Sequence, residues 1–392
     1  MVGLFVTMGD CESILEWSGT PWFMRHALEK AGIGIRCFRS PPTEATARAQ
    51  MGRLPSWYTG ERSMRSLATH ARRVEETLAR RGDEIDFVFC PGTIPISRVK
   101  TTKPIISWTD ATFDSMVGFY GDEFAETGAG LRRAGHRQES LALRNVAAAV
   151  YSSEWAAGSA VRDHGANPSK VHVVPFGANI INEPSRADVV AWIEERLTRP
   201  LELVFIAVDW ERKGGALVVQ VVNALRARGI SVELTIIGPV PDSSVAELPP
   251  GTTAMGFLDK SSEAESLRFA EALRRASFLL LPSKAEAFGI VLAEACAYGV
   301  PLAASDVGGI LTTVRDGVNG RAFSACASPD DYADFTAGVW GSPDTYRALA
   351  LGARAEFEMR LNWHTAVTAF AGILRDVVPD RAGQTEDDHR LY

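Results

Sequence analysis

Short apolar, β-rich runs alternate with amphipathic helical stretches along nearly the whole chain, and the alternation restarts once near the middle. The first series of strand-like runs covers residues 3–8 (GLFVTM), 33–38, 86–90 (DFVFC), 104–108, 147–151 (AAAVY) and 171–175 (VHVVP). The second covers 203–208 (LVFIAV), 232–238 (VELTIIG), 277–282 (SFLLLP) and 301–304. Runs with so few polar positions are buried on both faces, and helices between them require parallel pairing. In the first series a helix opens at Thr20-Pro21, with Thr20 capping, Pro21 in the first turn and Gly32 at its end, and a second, arginine-rich helix covers 62–81. Helices in the second series cover 215–228, 262–276 and 289–298, and a last one covers 363–378 before Pro379 and a polar tail, 380–392. The polar stretch 180–200 contains Asn-Glu-Pro-Ser and reads as the inter-domain connection. The expected class is therefore α/β: a doubly wound domain over 1–179, a second over 201–362, and a cleft between them, a common place for a ligand.

The 392 residues suffice for two such domains, and 46% hydrophobic with 23% charged residues excludes a disordered chain or a fibre. Net charge is −7, from 41 basic and 48 acidic side chains, which argues against nucleic acid as a partner. Residues 1–190 sit near +1 and the remainder near −8, so the two domains carry different surfaces. Cys11, Cys37, Cys90, Cys296 and Cys326 are odd in number and form no C-x-x-C pair, so free thiols are expected rather than disulfides or zinc. The N-terminus lacks the basic start and apolar core of a signal peptide, and the longest weakly polar run, 288–304, is too short to span a bilayer. A cytoplasmic protein is the expectation.

The chemistry concentrates in residues 281–309, LPSKAEAFGIVLAEACAYGVPLAASDVGG. Glu286 leaves a buried strand, Glu294 follows eight residues later inside a helix, and Phe288, Gly289 and Ile290 bring backbone N–H groups to that helix's start. A helix N-terminus attracts anions. One carboxylate at the mouth can accept hydroxyl groups at one end of a ligand, and the second can accept a diol such as ribose. Phosphate between them meets N–H donors. A sugar joined through diphosphate to a nucleoside fits that order of groups. A carboxylate within VLAEACA is otherwise poorly placed on an apolar helix.

The Glu286-x7-Glu294 pair with Phe288-Gly289 resembles the paired-glutamate signature of retaining GT-B glycosyltransferases of family four. Gly299-Val300-Pro301, Ser305-Asp306-Val307-Gly308-Gly309, Asp316-Gly317-x-Asn319-Gly320 and Asp209-Trp210-Glu211-Arg212-Lys213-Gly214 are similar to further family segments. So are Trp17-Ser18-Gly19-Thr20-Pro21, Ser152-Ser153-Glu154-Trp155 and Pro175-Phe176-Gly177, so the resemblance runs from about residue 3 to 370. It implies two Rossmann-like domains facing a cleft, the last helix returning to the first domain, and transfer of a sugar to an acceptor hydroxyl without a metal or other cofactor. It implies that Glu286 contacts the transferred sugar and Glu294 the ribose, that Arg212 and Lys213 neutralise the diphosphate, and that Gly19 and Thr20 approach the phosphate. Retention follows from a same-face mechanism in which the departing phosphate oxygen helps deprotonate the acceptor. Two positions depart from the pattern: Ala207 and Val208 stand where relatives carry Gly-Arg, and Ile310-Leu311-Thr312 follow Gly309 where relatives carry a glutamate.

Asp110 stands where relatives often carry a histidine, and its alternatives are a helix cap or a place beside acceptor or sugar hydroxyls. His26, His136, His164 and His172 have no spacing for a metal or a triad and read as surface or packing residues. The arginines of 62–81 and 132–144 read as solvated helix faces, with contact to a membrane surface as the minority reading. The rivals to a transferase are a phosphorylase or nucleotide-sugar epimerase on the same fold, and a non-catalytic protein that binds nucleotide-sugar. The sugar, nucleotide, acceptor and oligomeric state are not encoded in any transferable pattern.

Overall fold

The structure is a computed structural model in which residues 1–38, 64–120 and 128–379 are described. The chain forms two compact units, the first from Met1–Val174 with the segment from Ala366 onward, the second from Pro175–Thr365.

The first unit holds a six-stranded sheet of β1 (Val2–Val6), β2 (Gly34–Phe38), β3 (Phe87–Cys90), β4 (Ile105–Thr109), β5 (Ala148–Tyr151) and β6 (Val171–Val173). Its order is β2-β1-β3-β4-β5-β6 and every pairing is parallel. The winding reverses between β1 and β3, which places a crevice at their carboxyl ends. Leu4, Val6, Val88, Cys90 and Tyr151 are buried in one core with Val74 and Leu78 of helix Met64–Arg81. On that helix Arg72 pairs with Glu76 and Arg81 with Glu84, so part of its basic face is neutralised locally. Arg62 and the tail 380–392 lie outside the described residues. Helix Trp363–Val377 forms as expected. Its Phe370 stacks on Trp108 of β4 at 4.8 Å and meets Phe89 of β3 edge-on, which is why the chain from Ala366 belongs to the first unit.

The second unit holds β7 (Leu201–Ile206), β8 (Val232–Ile237), β9 (Thr252–Ala254), β10 (Phe278–Leu281), β11 (Leu302–Ser305) and β12 (Gly320–Phe323). Read from one edge, β9-β8-β7-β10-β11-β12 is the doubly wound order 3-2-1-4-5-6, again all parallel. The reversal falls between the paired β7 and β10. Strands β9 and β12 escape the sequence reading because they are short edge strands whose sequences, TTA and GRAF, carry no apolar run.

Three expectations are corrected. The stretch 180–200 is not merely a connection: Arg186–Arg196 is a helix started by a Ser185–Asp188 capping box, and its Val189 and Ile193 are buried in the second unit's core. Its Arg196 is 2% exposed, and the guanidinium donates to the carbonyls of Leu273, Arg274, Tyr298 and Gly299. One cation thus satisfies the carboxyl ends of helices Glu263–Arg275 and Ile290–Ala297, where the helix dipole favours positive charge. Thr20 is the first residue of helix Thr20–Lys30, and Gly19 rather than Thr20 takes the capping position. Cys11 and Cys37 form a disulfide, while Cys90, Cys296 and Cys326 are free. Spacing could not reveal that bond, because β1 and β2 are adjacent parallel strands and pairing brings the loop after β1 back beside the end of β2. No helix among the described residues is long and apolar enough to cross a membrane.

Candidate active site

In the second unit the loops leaving β7 and β10 meet at the reversal point. After β7, Asp209 caps the one-turn helix Trp210–Lys213, accepting from the Arg212 N–H at 3.0 Å, and Trp210 is buried edge-on against Phe205. This turn aims Lys213 at the loop after β10, where its Nζ donates to Glu286 Oε2. Both side chains are 9% exposed, so Glu286 is not a solvated loop carboxylate. Burial and the neighbouring Arg212 pull the Lys213 pKa down towards about 7, and Asp209 acts in the opposite direction. The abutting Glu286 carboxylate also favours the charged lysine. Arg212 donates from Nε to Asp209 at 3.2 Å and from Nη1 to the Ala285 carbonyl at 3.1 Å, so in this structure it ties the two loops together.

Gly289, at φ +79, starts helix Ile290–Ala297, and no side chain caps that helix. Phe288 is buried edge-on against Phe176 at 5.3 Å, and the Gly309 N–H donates to the Glu286 carbonyl at 3.1 Å. The Gly308-Gly309 turn therefore lies against the Glu286 loop. Asn319 of the Asp-Gly-x-Asn-Gly run accepts from the Arg315 N–H and donates to the Thr313 carbonyl, which makes that run a structural turn leading into β12.

Glu294 is 1% exposed and sits in a network that sequence inspection did not anticipate. Lys260 Nζ donates to Glu294 Oε1 at 2.6 Å, reaches the Asn179 carbonyl at 3.4 Å, and lies 4.3 Å from the centre of the Phe269 ring. The Asn179 N–H also donates to the Glu294 carboxylate, and the Asn179 side chain accepts from the Trp363 indole. Burial raises the Glu294 pKa, and Lys260 and Asn179 oppose the rise. Lys260 had no usable signal, since it follows the unrecognised strand β9 in an ordinary Asp-Lys-Ser-Ser turn. Lys260→Ala should leave Glu294 buried without its cation, at a cost of about 3 kcal/mol. A glutamate with a raised folded pKa destabilises the fold only once pH climbs through that range. The variant's melting deficit should therefore be large at pH 8 and shrink towards pH 5; equal deficits at both would show that Glu294 does not depend on Lys260.

In the first unit, Gly19 and Thr20 cap and start the helix that follows the β1 loop, and Asp110 directly follows β4. Trp17, Ser18 and Gly19 are consecutive left-handed residues with φ of 46°, 54° and 83°. The first two carry side chains that disfavour this conformation, a cost of order 1–3 kcal/mol each. The Trp17 indole donates to the half-buried Asp110 carboxylate. Burial raises the Asp110 pKa to about 6 even so. The helix-cap alternative for Asp110 falls away, because Thr112 and Ser115 supply the capping box of Phe113–Met116. Thr20 and Gly19 are buried. Of the four histidines, His136 and His164 come together with Asp114, which their spacing in the sequence did not suggest.

Residues 200–340 match the family model described as glycosyl transferases group 1. The curated D-inositol 3-phosphate glycosyltransferase of Xylanimonas cellulosilytica is 31% identical over 238 residues, 58% of this chain and 56% of that protein. The enzyme of the same name from Streptomyces scabiei is 28% identical over 269 residues, 65% of this chain and 57% of that protein. The chain thus spans little more than half the length of these relatives. Among solved structures, sucrose-phosphate synthase from Thermosynechococcus elongatus superposes with a TM-score of 0.70 at 17% identity, covering 96% of this chain and 98% of that one. Anabaena HepE in complex with UDP-glucose superposes with a TM-score of 0.61 at 17% identity, covering 96% and 100%. Residues 200–340, which hold the second sheet, are thus similar to the group 1 glycosyltransferases, and the two all-parallel sheets share the GT-B fold of the solved structures.

Proposed function

We propose that the chain is a retaining, metal-independent glycosyltransferase that moves a sugar from a nucleotide-diphosphate sugar to an acceptor hydroxyl. The observation that carries this reading is the buried Lys213–Glu286 pair at the carboxyl ends of β7 and β10, beside a helix start that no side chain caps. A buried cation next to free helix dipole is suited to a diphosphate. Support comes also from Anabaena HepE, whose structures hold UDP, UDP with glucose, and UDP-glucose.

In the free protein Lys213 and Glu286 neutralise each other. An incoming diphosphate takes over Lys213 and releases the Glu286 carboxylate to accept hydrogen bonds from the sugar hydroxyls. The N–H groups of Gly289 and Ile290 lie at the helix start to meet the phosphate, and Glu294, held by Lys260, offers its second oxygen to the ribose. Arg212 holds the Lys213 and Glu286 loops in register. The bond from the anomeric carbon to the phosphate oxygen breaks and the acceptor oxygen bonds to that carbon on the same face, its proton passing to the departing phosphate oxygen, so no protein nucleophile is needed. Losing one preorganised electrostatic partner in such a site costs on the order of 10²–10³ in rate.

Melting the protein with uridine, guanosine and adenosine diphosphates tests donor binding. At a hundredfold excess over Kd, the correct nucleotide adds about 2.7 kcal/mol of stability. Incubation with the matching sugar donor should then release nucleoside diphosphate. No stabilisation by any of the three overturns the donor class, and binding without release or transfer identifies a non-catalytic binding protein.

A further inference from the structure

Three side chains of the first unit, none of them given a role above, converge. Asp114 lies in the short helix Phe113–Met116, His136 in helix Ala129–Asn145, and His164 closes helix Glu154–His164. Their ligating atoms all lie within 4.8 Å of one another. Gly135 explains how His136 comes so close. A Cβ there would fall 2.3 Å from the Phe113 ring, so only a glycine lets helix Ala129–Asn145 rest on the residue preceding Asp114.

Asp114 Oδ2 faces two imidazoles, His136 Nδ1 at 2.5 Å and His164 Nε2 at 3.3 Å. The His164 side chain is fully buried, and its Nε2 has no hydrogen-bond partner. Its other nitrogen, Nδ1, lies 3.2 Å from the Ser140 hydroxyl. A ring that spends Nδ1 on a hydroxyl and points an unpaired Nε2 at a carboxylate is arranged as metal-binding histidines are, with an outer partner fixing the ring. We infer that Asp114, His136 and His164 form a binding site for a divalent transition-metal ion, with zinc as the expected occupant.

Zinc binds imidazole nitrogen and carboxylate oxygen at about 2.0–2.2 Å, which puts neighbouring ligands of a tetrahedron about 3.3 Å apart. The His164–Asp114 separation already has that value. The His136–Asp114 contact must open by less than an ångström, and both of those side chains are partly exposed, which leaves them room to move. Two imidazoles and one carboxylate select zinc or a neighbouring first-row ion over magnesium or calcium, and the exposed side admits water as the fourth ligand. None of the three residues takes part in the proposed transfer reaction, so the inference does not depend on it.

The test uses the untagged full chain, stripped with a chelator and titrated with Zn²⁺ by calorimetry and with Co²⁺ by visible absorption. One equivalent should bind, with a cobalt spectrum typical of tetrahedral nitrogen and oxygen ligands and a zinc-dependent rise in melting temperature. His136→Gln and Asp114→Asn alter partly exposed side chains and should abolish stoichiometric uptake while melting cooperatively without metal. Ser140→Ala should weaken affinity on the order of 10–100-fold, as loss of an outer partner does elsewhere. Absence of one-equivalent uptake by the wild-type chain, or uptake unchanged by both His136→Gln and Asp114→Asn, would overturn the assignment. Should a variant fail to fold, a wild-type cobalt spectrum lacking nitrogen ligands would overturn it equally.

Discussion

Glu286→Gln should lower turnover on the order of 10²–10³-fold, with the chain still folded. Glutamine keeps the shape of the side chain but removes the charge that faces Lys213, which lies 73 positions earlier in the chain. Removing one partner of a buried pair costs about 3–5 kcal/mol when the other must stay charged. Lys213 has an escape, because burial already pulls its pKa down from 10.5 towards 7. Below the folded pKa the ammonium remains charged in both states, and the folded chain bears the whole desolvation penalty. As pH rises from 7 towards 10.5 the unfolded chain holds the extra proton, so stability rises with pH and the penalty fades. The variant should therefore fall furthest below wild type in melting temperature near pH 6 and recover towards pH 9. Near-normal turnover in a folded Glu286→Gln protein would remove this residue from the reaction.

The second large effect is expected at Gly214, between the Lys213 turn and helix Gly215–Ala227. It sits at φ +80, and a Cβ there would lie 2.2 Å from the Pro282 carbonyl oxygen at the end of β10. Gly214→Ala should lose about 3 kcal/mol or more, from the left-handed backbone and from backbone forced apart. Turnover should fall as well, because separating the two loops moves Lys213 relative to Glu286, and an ångström of misplacement can cost about 10²-fold. Gly229→Ala is the control: Gly229 has φ +77 but nothing within 4 Å, so it bears the backbone cost alone. Urea unfolding of the two variants separates the terms, and equal losses would mean that the collision with Pro282 is relieved without consequence.

The legible parts of this protein were those whose physics is local. Continuous apolar runs marked ten of the twelve strands, and the two missed, Thr252–Ala254 and Gly320–Phe323, are short edge strands without such a run. The paired glutamates were visible because an acid inside VLAEACA contradicts its neighbours. Helix Arg186–Arg196 was hidden by its polar surroundings. Its reason for existing is Arg196, whose four carbonyl partners lie 77 to 103 positions away.

The order of residues along the chain was enough to establish two parallel α/β units and to single out the loop from Leu281 to Gly309, since strand burial and helix starts are properties of neighbouring residues. Tertiary structure alone decided who meets whom: Lys213 with Glu286, Lys260 with Glu294, Trp17 with Asp110, Cys11 with Cys37, and Asp114 with His136 and His164. Each of these joins side chains brought together by strand order and loop packing, and their charges and burial come from that meeting rather than from anything adjacent in sequence.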